Sequence, residues 1–91
     1  MSIVVRFSPD GLTKETYDKV SAKIQESEWP PDGLDYHVAF GDDGNLKVSE
    51  IWDSREQMDA FGERLMPVLE EAGVQMSAEP ETFEVHYVEK R

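Results

Sequence analysis

The chain has 91 residues, 20 of them acidic and 9 basic, for a formal net charge of −11. That length supports one domain around a single modest core, and the sign of the charge argues against nucleic acid and anionic membrane surfaces, which recruit positive patches. Cysteine is absent, which removes disulfides, thiolate metal sites and cysteine nucleophiles, and no apolar run approaches the ~20 residues needed to span a bilayer.

The first residues, MSIVVRFS, lack the basic start and long apolar stretch of a secretion signal, so a cytoplasmic location is the expectation. In the same stretch Ile3, Val5 and Phe7 alternate with Val4, Arg6 and Ser8, which predicts a strand over residues 2–8. Pro9-Asp10-Gly11 ends it. Thr13 is a good N-cap, and Leu12 before it is placed to staple onto Tyr17. Tyr17, Val20 and Ile24 then form the buried stripe of a helix reaching about residue 27, with Glu15 and Lys19 spaced to pair on its outer face. Two prolines followed by Asp-Gly make residues 28–33 a loop. Trp29 in that loop reads as a plug over the end of the first helix or as a platform on which a ligand stacks.

Residues 35–41 read as a second strand, turned back by Asp42-Asp43-Gly44-Asn45 into a third over 46–52. A two-residue or a symmetric four-residue loop here sets Ala39 opposite Val48 and His37 opposite Glu50. His37, Ala39, Val48, Glu50 and Trp52 then share one face, while Tyr36, Val38, Phe40 and Ile51 lie on the other. The third strand runs straight into a long helix. Ser54 with Gln57 forms a capping pair, Asp53 with Glu56 an equally good one, and Gly73 is a natural C-terminal stop. Met58, Phe61, Leu65, Leu69 and Ala72 follow at helical spacing, and Pro67 predicts a kink between residues 62 and 67. Residues 74–80 connect to a last strand over 82–89, where Phe83, Val85 and Tyr87 alternate with Glu84, His86 and Val88.

The order strand, helix, strand, strand, helix, strand predicts an α+β, ferredoxin-like βαββαβ domain over residues 1–91, a four-stranded antiparallel sheet with two helices on one face. Strands that are apolar on both sides leave the uncovered face hydrophobic, the kind of surface that pairs with another chain.

Over residues 35–73, through His37 and the corner Glu50-x-Trp52-Asp53-Ser54, the sequence resembles the dimeric α+β barrel superfamily, which includes antibiotic-biosynthesis-type monooxygenases. Within that group the chain looks most like small single-domain members of unassigned function. The resemblance implies a homodimer joined through the open sheet faces, with any small-molecule pocket between sheet and helices. Haem-degrading relatives use an asparagine on the first strand, a tryptophan on the third and an axial histidine on the second helix. Trp52 resembles that tryptophan, but the first strand has no asparagine and the second helix no histidine, so no cofactor is expected. Cofactor-free relatives that bind a phenolic substrate in this pocket share the general layout. A monooxygenase-like enzyme or binder of a small aromatic molecule is one expectation, and a non-catalytic homodimeric module with a closed pocket is the other.

His37 beside Glu50 is the acid–base pair that suits proton transfer, because a carboxylate fixes the tautomer of an imidazole; the same pair also occurs as an ordinary cross-strand contact. Trp52, Met58 and Phe61 are candidate pocket walls that equally suit plain core. Arg6 either binds an anionic ligand group, balances Glu50, or is an exposed strand arginine. No metal site is expected from the two histidines: strand order 4-1-3-2 puts His37 and His86 on opposite edges, roughly 14 Å apart at three strand spacings. That is too far for one ion with bonds of about 2 Å. A serine-hydrolase elbow is missing.

Overall fold

The computed structural model describes residues 2–91. It is built from β1 (Ile3–Phe7), α1 (Lys14–Ile24), β2 (Leu34–Phe40), β3 (Lys47–Trp52), α2 (Arg55–Glu71) and β4 (Glu81–Glu84), in one antiparallel sheet of order β2-β3-β1-β4. This is the ferredoxin-like arrangement expected from the element order. Among the described residues no helix is long and apolar enough to cross a membrane.

Local chemistry explains where the elements start and stop. Thr13 caps α1 by accepting the backbone N–H of Thr16 at 3.1 Å, and α1 ends at Ile24 with Gln25 as its cap, shorter than the expected reach to residue 27. Ser54 settles the choice of cap for α2: its hydroxyl accepts the Gln57 N–H at 3.2 Å and donates to Gln57 Oε1 at 2.9 Å. Gly73, at φ 76°, closes α2 in a Schellman motif, with Val74 N–H bonded to Leu69 O at 2.9 Å and Gly73 N–H to Glu70 O at 3.1 Å. Pro67 is accommodated within a single helix.

The β2–β3 hairpin has the predicted register, with His37 opposite Glu50 and Ala39 opposite Val48. A bulge at Asp35 then pairs Leu34, rather than Asp35, with Trp52. The extra residue turns Leu34 onto the core and leaves Asp35 outside, where the Lys90 ammonium meets its carboxylate. Leu46 falls outside β3 because its N–H bonds to Leu12 O at 3.0 Å instead of to the hairpin partner.

The last strand is half the expected length. β4 pairs Glu84 with Ile3, the first residue of β1, and beyond the Val85 N–H bond to Ser2 O the ladder makes no further pair among the described residues. His86, Tyr87 and Val88 therefore lie outside the sheet, and Tyr87 and Val88 are exposed.

The core sits between sheet and helices, where Ile3 and Val5 of β1, Trp52 of β3, Ile24 of α1 and Phe61 of α2 are all buried. Burying each such side chain is worth roughly 1.5–3 kcal/mol, which makes this cluster the main source of stability. The other face of the sheet is bare. Tyr36 is 51% exposed, Phe83 60% and Phe40 36%, with Val4, Val38 and Ile51 half-buried beside them.

Candidate functional site

The strand register places His37 and Glu50 side by side on the covered face, and both predicted catalytic residues come together there. His37 Nδ1 lies 2.6 Å from Glu50 Oε2. Glu50 is buried, and its other oxygen accepts the Trp52 indole N–H at 3.1 Å. A carboxylate enclosed by apolar neighbours is costly unless both oxygens are bonded, and here both are. His37 Nε2 is in turn 2.7 Å from the Tyr17 hydroxyl. With Nδ1–H donating to the carboxylate, Nε2 is left to accept from the phenol, so the four groups form one chain from Trp52 through Glu50 and His37 to Tyr17. Burial, then the nearby Glu50 charge and the Asp18 charge, hold the Tyr17 phenol above its ordinary range, which keeps it protonated at neutral pH.

The chain of polar groups opens on a cleft of about 100 Å³ whose walls are almost wholly apolar. Tyr17, His37, Glu50, Trp29 and Phe61 line it together with Phe7 and Val48 of the sheet and Pro9 and Leu12 of the loop after β1. Trp29 meets the His37 ring edge-on with centroids 5.9 Å apart and lies 6.2 Å from Phe61. It forms part of the cleft wall, packed against His37 and Phe61. Arg64 of α2 fixes the loop that carries it: its guanidinium donates to Ile24 O at 3.4 Å and to Glu28 O, and lies over Phe61 at 5.2 Å.

Three of the four predicted binding residues are placed elsewhere. Trp52 is fully buried and does not line the cleft, backing it through its bond to Glu50 and its packing on Phe61 at 5.6 Å between ring centroids. Met58 packs into the core and does not line the cleft. Arg6 is on the opposite, uncovered face, opposite Ser49 and stacked on Phe40 at 5.9 Å, because Val5 rather than Arg6 pairs with Glu50. It neither balances Glu50 nor reaches the cleft. Of the four, Phe61 alone lines the cleft.

Tyr17 is the residue that sequence reasoning passes over, since its spacing with Val20 and Ile24 marks it as core. A signal was available: a tyrosine in a buried stripe needs a partner for its hydroxyl, and the facing strands offer His37 and Glu50. Among the described residues no group of histidine and acidic side chains is arranged to hold a metal ion.

No protein-family model matches the sequence, and no curated protein is similar enough to count as a relative. Solved structures are similar along the whole chain. A candidate antibiotic biosynthesis monooxygenase from Chloroflexus aurantiacus superposes with a TM-score of 0.70 at 14% identity, covering 99% of this chain and 98% of that one. MupZ from Pseudomonas fluorescens gives 0.69 at 9% identity, over 99% and 94% of the two chains. A variant of SnoaB, a cofactor-independent oxygenase from Streptomyces nogalater, gives 0.64 at 15%, over 96% and 93%. At such identities the likeness is one of fold, and the chain has the ferredoxin-like α+β fold of its antibiotic-biosynthesis-monooxygenase-like structural neighbours.

Proposed function

We propose that this protein binds a small aromatic molecule and acts on it as a cofactor-independent, monooxygenase-like enzyme, with Tyr17, His37 and Glu50 moving the proton. The observation that carries this reading is an unbroken hydrogen-bonded series from a buried carboxylate to the wall of an apolar cleft. Oxygenation without a cofactor requires the substrate itself to become an electron-rich anion that reduces dioxygen. The protein's part is then to take a proton from it. A substrate hydroxyl beside Tyr17 gives its proton to the phenol oxygen as the Tyr17 proton passes to His37 Nε2, and the imidazolium formed is held by Glu50. Tyr17, Trp29 and Phe61 supply flat faces for an aromatic ring. The fold is shared with SnoaB, a cofactor-independent oxygenase.

A second reading, a non-catalytic homodimeric binding or structural module, is favoured by the volume of the cleft, about 100 Å³, against roughly 300 Å³ at the lower end of small-molecule sites. In both readings the molecule is a homodimer through the uncovered sheet face, which the exposed Tyr36, Phe40 and Phe83 support.

Phenol and a naphthol serve as probes, with binding followed through Trp29 emission and turnover through oxygen uptake. The enzyme reading expects saturable binding, and oxygen uptake that falls at least a hundredfold in Tyr17→Phe and Glu50→Gln while binding changes by less than tenfold. Binding with no oxygen uptake supports the non-catalytic reading, and no binding of either probe rejects the aromatic site.

A further inference from the structure

Resting on the reading of Tyr17, His37 and Glu50 as the polar end of the site, we infer that the site is longer than the first cleft. It continues under the segment 74–80, and Met76 sets how long a molecule it admits. A second cleft of about 240 Å³ lies at the C-terminal end of α2, lined by Met66, Leu69, Val74, Met76 and Ala78 among others. Leu69, Val74 and Met76 line both clefts, so a partition one side chain thick separates them. Merged, the two reach the size range of small-molecule sites, which the first cleft alone does not.

The partition is built to give way. Residues 74–80 form neither helix nor strand, and apart from Val74 and Met76 their side chains face solvent. The segment is tied to the rest of the domain at Asp10, whose N–H donates to Gln75 O at 2.8 Å and whose carboxylate accepts the Ser77 hydroxyl at 2.8 Å. Met76, unbranched and with three rotatable bonds, can swing aside without moving the backbone. The Schellman cap at Gly73 fixes the start of the segment, so its motion is confined beyond Val74.

The same residues state the chemistry of the occupant. Glu70 and Glu79 stand at the rim of the second cleft and its floor is apolar, and the chain as a whole carries −11, so an anionic tail is repelled. The molecule that fits is neutral and elongated, with a hydroxyl or carbonyl head for Tyr17 and an apolar body that passes Met76.

Butanol, hexanol and decanol are the probes, titrated against Trp29 emission. Each methylene that enters an apolar site tightens binding roughly fourfold. Butanol fits the first cleft alone; decanol cannot. Decanol is expected to bind more than tenfold tighter than hexanol in the parent protein. Ala78→Trp, which fills the second cleft from its exposed side, should cut that advantage to under threefold and leave butanol unchanged. Met76→Ala should raise decanol affinity severalfold, and by more than it changes that of butanol, whose cleft Met76 also lines. The unchanged butanol titration shows that Ala78→Trp is folded, and a far-UV circular dichroism spectrum matching the parent's shows the same for Met76→Ala. Decanol no tighter than hexanol in the parent, or an advantage that survives Ala78→Trp, overturns the inference. A decanol advantage that behaves as expected while Tyr17→Phe alters no affinity keeps the extended site and rejects the polar head, so the two readings fail separately.

Discussion

The two faces of the sheet are made from the same strands yet do opposite work. On the covered face, Val5, His37, Glu50 and Trp52 lie among buried neighbours, and each polar atom of Glu50 has a partner. On the uncovered face, Tyr36, Phe40 and Phe83 stand in solvent beside the charged Arg6, Lys47 and Glu81, and Arg6 lies over the Phe40 ring. Alternation along a strand assigns residues to faces, and what covers a face then decides their role. Beneath helices, a polar residue survives only inside a satisfied network, and such a network is pre-organised for chemistry. Without cover, apolar residues remain a demand for a partner.

The sharpest way to break the contrast is to charge the bare face. The protein is expected to scatter light with twice its 10.4 kDa chain mass at micromolar concentration. Val38→Asp, at the middle of β2 and pointing outward, should raise the dimer dissociation constant more than a hundredfold. In a two-fold interface every substitution counts twice, and each buried charge leaves an uncompensated group. A parent protein that is monomeric and soluble rejects both the dimer and the barrel it would form.

On the covered face the expected losses are smaller and unequal. His37→Ala removes the partner of both Glu50 Oε2 and the Tyr17 hydroxyl, which should cost about 1–3 kcal/mol in denaturant unfolding at pH 7. Glu50→Gln keeps an oxygen for the Trp52 indole and offers an N–H to His37, whose ring can change tautomer to accept it. Its cost should stay below about 1 kcal/mol. Large and equal losses in both variants, with probe binding and oxygen uptake unaltered, make the network a structural contact and end the catalytic reading of His37 and Glu50.

Much of this arrangement is legible in the amino-acid sequence, and the failures have a common cause. The Asp-Gly turn fixes the β2–β3 register locally, so His37 opposite Glu50 follows from sequence. The register of β1 against β3 is fixed by no turn, and only that pairing shows Arg6 facing away from Glu50. The length of β4 is equally non-local, because the strand stops where β1 begins. Tyr17 and Trp29 reach the cleft through helix and loop packing, which periodicity reports as burial and not as contact with a particular neighbour. Residues whose role depends on one hairpin are readable; those whose role depends on two distant elements meeting are not.

Tyr17 also links the covered face to pH. Its pKa is raised above the ordinary tyrosine value of 10.0 by burial first and by the Glu50 and Asp18 charges after it. The unfolded chain then loses this proton before the folded one, so the native state binds more protons above pH 10 and stability falls as pH rises through the folded pKa. Unfolding free energy should show this loss only above about pH 10, and Tyr17→Phe should flatten it. A parent and variant with the same alkaline slope show that the phenol is not shielded.

The smallest expected effect is none at all, and it tests whether the network leaves His37 free. Haem bound through a protein imidazole needs a ring nitrogen with an open lone pair. α2 contains no histidine, and His86 lies in the exposed segment after β4, across the sheet from β2. His37 is the one imidazole on the cleft, and both its nitrogens are engaged, one by Glu50 and one by Tyr17. Binding haem iron there would break the Tyr17 contact and push a macrocycle into a cleft of about 100 Å³. Titration with haem should therefore give no sharp, stoichiometric Soret shift. Tyr17→Phe, which frees Nε2, should not create one either if the narrow cleft is the dominant barrier, whereas a shift in that variant alone would show that Tyr17 is what keeps His37 from the metal. Tight one-to-one binding by the parent would mean that the network opens readily, and the proton path drawn through it would have to be abandoned.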